Sequence, residues 1–278
     1  TSTTNEMGYK TSYGYDAGGR LSQITWPTGD TVAWAPTQIS YAQVASSEYG
    51  IGAGHWRGTE SRGNYRKFTY YDALWRPVVE REYDAADSAG TLRFNRKAYD
   101  LAGRVSFEAY PGTTNNLTTG VRTFYDALGR PTRSEQDSEL GVLTTQYAYL
   151  SSFRTRVTNP RGFVTQTRFQ AFDAPATDSP TEIIAALGRP EQQTTTISKN
   201  VLGQTLSLTR SGSYGGTPVS LTRHYVYDAR MRLCKRVEPE TGASFFSYDA
   251  AGNVRWTAEG QSLTYTTSCG NTAVPTTE

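Results

Sequence analysis

The chain has 278 residues, 36% of them hydrophobic, with 28 Lys and Arg against 26 Asp and Glu and a formal net charge of +2. That length suits one large β domain or a short solenoid. A charge so near balance, with no basic cluster or stacking motif, argues against a nucleic-acid partner, and no apolar run is long enough to span a bilayer.

From the N-terminus onward one phrase recurs. Tyr15-Asp16-Ala-Gly-Gly-Arg20, Tyr71-Asp72-Ala-Leu-Trp-Arg76, Tyr99-Asp100-Leu-Ala-Gly-Arg104, Tyr125-Asp126-Ala-Leu-Gly-Arg130, Tyr227-Asp228-Ala-Arg-Met-Arg232 and Tyr248-Asp249-Ala-Ala-Gly-Asn253 follow a single template. Their tyrosines lie 56, 28, 26, 102 and 21 residues apart, a loose period of repeated supersecondary units that pack on their neighbours. Within the phrase, Asp fits the first position of a type I turn, where it caps backbone N–H groups, and Gly fits the last. Asp16, Asp72, Asp100, Asp126, Asp228 and Asp249 are therefore read as turn caps. Gly129 is expected at φ > 0, with Gly103, Gly162 and Gly252 alike, and Gly19, Gly188 and Gly203 are placed in equivalent turns. The repeated arginines read as cross-strand partners or rim charges.

Between these copies lie variants. Trp26-Pro27-Thr28-Gly29 and Asn159-Pro160-Arg161-Gly162 put Pro where φ near −65° is wanted, Tyr110-Pro111-Gly112-Thr113 reads as a type II turn, and two kinds of turn are expected to alternate at the two edges of a ribbon. Ala185-Ala186-Leu187-Gly188-Arg189 repeats the phrase without its Asp, which suggests that the cap is dispensable there. Asn200-Val201-Leu202-Gly203-Gln204 keeps cap and Gly, and Phe172-Asp173-Ala174-Pro175 keeps only an aromatic and the Asp. The intervening segments alternate with period two, as in Leu221-Thr222-Arg223-His224-Tyr225-Val226-Tyr227, and no stretch makes an amphipathic helix of three turns. The fold class is all-β, a repetitive antiparallel hairpin ribbon. Residues 31–64 interrupt the pattern and read as an irregular insertion, their second half a Gly-rich loop. Residues 257–278 read as a tail or cap. No low-complexity linker divides the chain, so residues 1–278 are expected to form one domain, a mature form or a piece of a longer protein.

Few residues suggest chemistry. His55 and His224 lie far apart and in no metal-spaced cluster. Asp137 and Glu139 form a carboxylate pair only in a polar turn. Neither a Gly-x-Ser-x-Gly elbow nor a phosphate loop occurs, so no catalytic residue, metal or cofactor is assigned and the chain is read as non-enzymatic. Trp34, Trp56, Trp75 and Trp256 sit at turns or irregular segments, where they either plug the ribbon's edges or stack on a ligand such as a sugar. Cys234 and Cys269 are either two inert thiols or a disulfide tying the tail to a repeat.

The repeated Tyr-Asp followed by Gly-Arg resembles the YD repeat of the Rhs (rearrangement hotspot) family, over most of residues 9–255. The resemblance implies a long β-strip curling or spiralling into a hollow shell, secreted from or displayed on a bacterial cell. Shells of this kind hold toxins in insecticidal complexes and polymorphic toxins, and related repeats serve adhesion. The expected function is therefore a structural module of a YD-repeat shell or extracellular scaffold. The alternatives are a carbohydrate- or surface-binding adhesion module, or the shell piece of a bacterial toxin that encloses a cargo. The partners implied are the rest of a larger YD-repeat protein or its cargo, and glycans.

Overall fold

The segments that alternate in sequence are strands. A computed structural model describes residues 1–29, 31, 34–171, 176–261 and 267–269. Phe172-Asp173-Ala174-Pro175 and most of the expected tail lie outside the described residues. The chain divides into two compact units, Thr1–Leu143 and Thr144–Glu278. The division falls inside a strand rather than at a linker, so composition carries no trace of it.

The first unit runs β1 (Ser2–Thr4), β2 (Lys10–Tyr15), β3 (Leu21–Thr25), β4 (Thr37–Gln43), β5 (Trp56–Arg62), β6 (Tyr65–Tyr71), β7 (Pro77–Asp84), the single-turn helix α1 (Ser88–Thr91), β8 (Arg93–Tyr99), β9 (Val105–Ala109), β10 (Gly120–Tyr125) and β11 (Pro131–Ser138). Each strand pairs antiparallel with the next, a simple meander. The second unit continues through β12 (Gly141–Leu150), β13 (Arg154–Thr158), β14 (Val164–Phe169), β15 (Pro180–Ala185), β16 (Gln193–Lys199), β17 (Thr205–Tyr214), β18 (Thr217–Tyr227), β19 (Leu233–Glu238), β20 (Gly242–Tyr248) and β21 (Val254–Gln261), again an antiparallel meander. The fold is an all-β antiparallel hairpin ribbon.

Residues 31–64 differ from expectation. They contain β4 and β5, paired in register from Thr37↔Arg62 to Gln43↔Trp56. Thr37-Gln38-Ile39-Ser40-Tyr41 alternates as a strand should, and Gly58, counted as a loop glycine, is buried in β5. A Cβ at Gly58 would lie 3.3 Å from the Tyr41 ring and 3.4 Å from that of Tyr71; two aromatic rings cover the backbone where it lacks a side chain. Between β4 and β5 the irregular part is the connection 44–55. At the C-terminal end the pattern persists through β21 to Gln261 rather than stopping at Trp256.

The first unit's core is small: Tyr70, Val79 and Phe94 on one face of β6, β7 and β8. Loops cover it. Tyr49 and Ile51 come from the 44–55 connection, Leu92 follows α1, and Leu117 comes from the 110–119 connection. The Tyr49 ring meets Tyr70 at 4.9 Å and Phe94 at 5.4 Å, both edge-on, and burial pushes the Tyr70 phenol up to about 12. The opposite face is a row of cross-strand ion pairs, Lys67–Glu80, Arg93–Glu82 and Lys97–Glu108. In the second unit Val226, Cys234, Lys235, Ala243, Ser244 and Phe245 are buried. Cys234 is joined to Cys269, which brings 267–269 onto the sheet face that Cys234 shares with Ser244.

Candidate functional site

The repeated phrase builds one turn many times over. In the copy at Asp126, Oδ1 accepts from the backbone N–H of Leu128 and of Arg130, each at 2.9 Å, and Oδ2 accepts from Arg130 Nε at 2.8 Å. The backbone closes with Asp126 N–H donating to Arg130 O and Gly129 N–H donating to Asp126 O. Gly129 has φ 80°, and the strand register shifts at Phe124/Tyr125, a type I turn closed by a left-handed residue in a bulge. Asp16, Asp72, Asp100 and Asp228 repeat these contacts with Arg20, Arg76, Arg104 and Arg232. Asp249 makes them with Asn253, and Asn200 and Asn159 cap their turns through Oδ1 without a charge. The left-handed position is held by Gly19, Gly103, Gly129, Gly162, Gly203 and Gly252, and by Trp75 (φ 61°) and Met231 (φ 62°). The Pro-containing turn at Asn159 thus has the same geometry as the Asp turns. It lies on the opposite edge of its unit from the turns at Asn200, Asp228 and Asp249.

Two variants behave differently from the sequence reading. The Ala185 copy does not make this turn: Ala186 takes φ 52°, Gly188 takes φ 76° and donates its N–H to Gln192 Oε1, and β16 begins only at Gln193. Without the Asp the chain builds a longer loop, so the copy is no sign that the cap is dispensable. Gly112 is not a type II turn glycine either. Its N–H and C=O both pair with Phe94, which straps the 110–119 connection onto the core.

What the arginines do was invisible strand by strand. Arg104, anchored to Asp100, extends Nη1 to the carbonyl of Asp126 in the next turn on that edge, at 2.9 Å. Its guanidinium lies 4.6 Å from the Tyr125 ring centroid, and the Tyr125 hydroxyl donates back to the carbonyl of Val105, the residue after Arg104, at 2.8 Å. Arg76, Tyr99 and Pro77 O repeat this stack and hydrogen bond at 4.6 and 2.8 Å. In the second unit Arg232, Tyr248 and Leu233 O do so at 4.5 and 2.8 Å, while Tyr227 donates to Thr205 O and Gln204 Nε2 to Met231 O. Four residues of the phrase are therefore employed: Asp closes its own turn, Gly turns the backbone, and Tyr and Arg staple one turn to the next. The 26- and 28-residue spacings, two strands and two connections, were the signal, because such a step returns to the same edge.

Residues 1–31 match the family model of the RHS repeat, and they hold the Tyr15–Arg20 copy of this turn. That segment carries the RHS repeat. Across 91% of this chain, a crystal structure of TcdB2-TccC3-Cdc42 has the same fold at a TM-score of 0.51 and 13% identity. TcdB2-TccC3-TEV aligns over 94% at 0.49 and 13%, and a variant Photorhabdus luminescens Tc holotoxin pore over 89% at 0.44 and 16%. The chain spans 14%, 15% and 15% of those chains in turn. No curated protein matches it.

In these turns the backbone N–H of the arginine four residues on holds the carboxyls of Asp16, Asp100, Asp126 and Asp228 below the usual range, with that arginine's side chain adding to it. Asp137 is likewise lowered, chiefly by Gly120 N–H and then by Arg122, and lies within β11 rather than in a turn. His55 is buried against Gly52 O, and burial lowers the pKa of the half-buried His224. No group of three His, Cys, Asp or Glu residues among the described residues is placed to hold a metal.

The tryptophans do not converge on one site. Trp75 packs against Trp56 at 5.0 Å, Tyr71 at 5.4 Å and Tyr41 at 6.3 Å, and Arg20 lies over Tyr41 and Trp56 at 5.0 and 5.7 Å. This cluster takes the place of a staple where the 44–55 connection interrupts the row of turns. Trp34 stands beside Trp26, and Trp256 is exposed on β21 in the other unit.

Proposed function

We propose that this chain is a length of wall in a curled YD-repeat shell or scaffold, a structural module without chemistry of its own, whose partners are the rest of a larger YD-repeat protein and the cargo it encloses. The observation that carries the reading is the tyrosine–arginine staple. It fastens the turns at Asp72, Asp100 and Asp126 to one another in the first unit, and it joins the Asp228 and Asp249 turns in the second, giving each sheet lateral stiffness that a small core does not supply. The fold shared with TcdB2-TccC3-Cdc42 supports the same assignment. The repeat carboxylates that an enzyme reading would need are consumed in closing their turns. The Cys234–Cys269 disulfide fits an oxidising location, secreted or at a bacterial cell surface. Electron microscopy of the protein in its gene's full reading frame tests the proposal: residues 9–255 should lie in the wall of a hollow particle, and a solid particle with no internal cavity would overturn it.

A further inference from the structure

On the first unit, at the edge opposite the RHS-repeat turns, Asn5, Tyr9, Trp26, Pro27, Thr28 and Trp34 line an open cleft of about 510 Å³. We propose that this cleft is a binding site for a neutral pyranose ring of a glycan. The assignment is independent of the wall reading and rests on how the cleft is built.

Its platform is fixed in place. Trp26 Nε1 donates to Thr37 Oγ1 at 3.3 Å, and Thr37 is itself buried, so the indole is held from behind. The Trp34 ring stands 5.9 Å away at 49°, opening a V between the two indoles. Tyr9 forms a third side, and its approach is set by Asn5, whose Oδ1 accepts from the N–H groups of Met7 and Tyr9 at 3.1 and 2.9 Å. Trp34 and Tyr9 are nevertheless 56% and 49% exposed, a large aromatic surface left to water in a preorganised concavity.

The polar groups define the ligand. Among the described residues no charged side chain lines the cleft, which disfavours phosphate, sulfate or carboxylate. A proline-rich peptide docks on paired aromatics as well, but its carbonyls only accept, whereas the hydroxyls on this rim can also accept from a ligand. Asn5 Nδ2, the Tyr9 hydroxyl and the Thr28 hydroxyl make no hydrogen bond among the described residues. An uncharged ring with an apolar C–H face and hydroxyls around its rim matches that set: the face stacks on Trp26 or Trp34, and the hydroxyls meet the amide and the two hydroxyls.

The test is a printed array of neutral and anionic glycans, followed by tryptophan fluorescence titration with each neutral hit and with decaproline. At least one neutral glycan should bind saturably. Trp34→Ala should weaken it at least tenfold, Trp34→Tyr should keep most of the affinity, and Trp256→Ala in the other unit should leave it unchanged. Should Trp34→Ala fail to fold, Thr28→Ala on the exposed turn takes its place, with an expected loss of severalfold. Binding of anionic glycans alone, binding of decaproline in place of sugar, no binding at all, or affinity indifferent to these cleft substitutions would each overturn the proposal.

Discussion

Gly129 and Gly19 hold the same left-handed position in two copies of one turn, at φ 80° and 76°, but their surroundings differ. A Cβ at Gly129 would lie 3.7 Å from Arg104 Nη1, whereas nothing comes within 4 Å of one at Gly19. Valine at either site forces a β-branched residue into the left-handed region, at about 1–3 kcal/mol. At Gly129 its methyl groups also push on the guanidinium that bonds Asp126 O and stacks on Tyr125. Losing that hydrogen bond and cation–π contact adds about 1–2 kcal/mol. Gly129→Val should therefore cost about 2–5 kcal/mol and Gly19→Val about 1–3 kcal/mol. Urea denaturation followed by tryptophan fluorescence measures both, because Trp26, Trp34, Trp56 and Trp75 all lie in the first unit. Equal costs at the two sites would refute the staple as a source of stability, and a neutral Gly129→Val would refute the turn itself. Asp126→Ala belongs in the same series; the copy at Ala185, which lacks the Asp, builds a different turn and so does not imply a mild effect.

Three more outcomes are expected. Tyr125→Phe deletes the donor to Val105 O and should cost about 1 kcal/mol in urea melts, while Tyr15→Phe, whose hydroxyl meets the exposed Thr1, should be near neutral. Reducing Cys234–Cys269, which closes a separation of 35 residues, should destabilise the second unit by up to about 4 kcal/mol by the loop-entropy estimate, read as faster hydrogen exchange in β19–β21 with the first unit unaffected. The turn carboxyls are lowered below 3.8 in the folded chain, so their stabilisation is complete above that value and is lost as pH falls through the lower folded-state values; thermal melts should be flat in this respect from pH 7 to about 5 and fall steeply below about 4, and a melting temperature unchanged at pH 2.5 would contradict it.

Much of the turn was legible because its determinants are local. Asp caps N–H groups two and four residues on, and the left-handed position favours Gly, so both show in one six-residue phrase. Trp75 and Met231 show the limit of that rule: they occupy the glycine position, and in the case of Trp75 the ring contacts with Trp56, Tyr71 and Tyr41 offset the strain. The staple was not legible from one copy, because Tyr125 and Arg104 meet only after two strands have been crossed. Nor was the covering of Tyr70 and Phe94 by Tyr49, Ile51, Leu92 and Leu117, since these lie in connections with no periodicity. The 31–64 segment misled because its glycines look like loop residues, although Gly58 is a strand residue roofed by tyrosines.

In the first unit the staples run along one margin only. Its other margin joins strands through connections at 5–9, 26–36, 63–64, 85–92 and 110–119, of unequal length and, among the described residues, without a repeated tyrosine–arginine contact. Insertions there leave the tyrosine–arginine row undisturbed, whereas an inserted residue between Tyr and Arg would break it. Related chains should therefore differ in length mainly at that margin; within it the turn at 63–64 is the natural place to graft a peptide, whereas 85–92 and 110–119 carry Leu92 and Leu117 over the core.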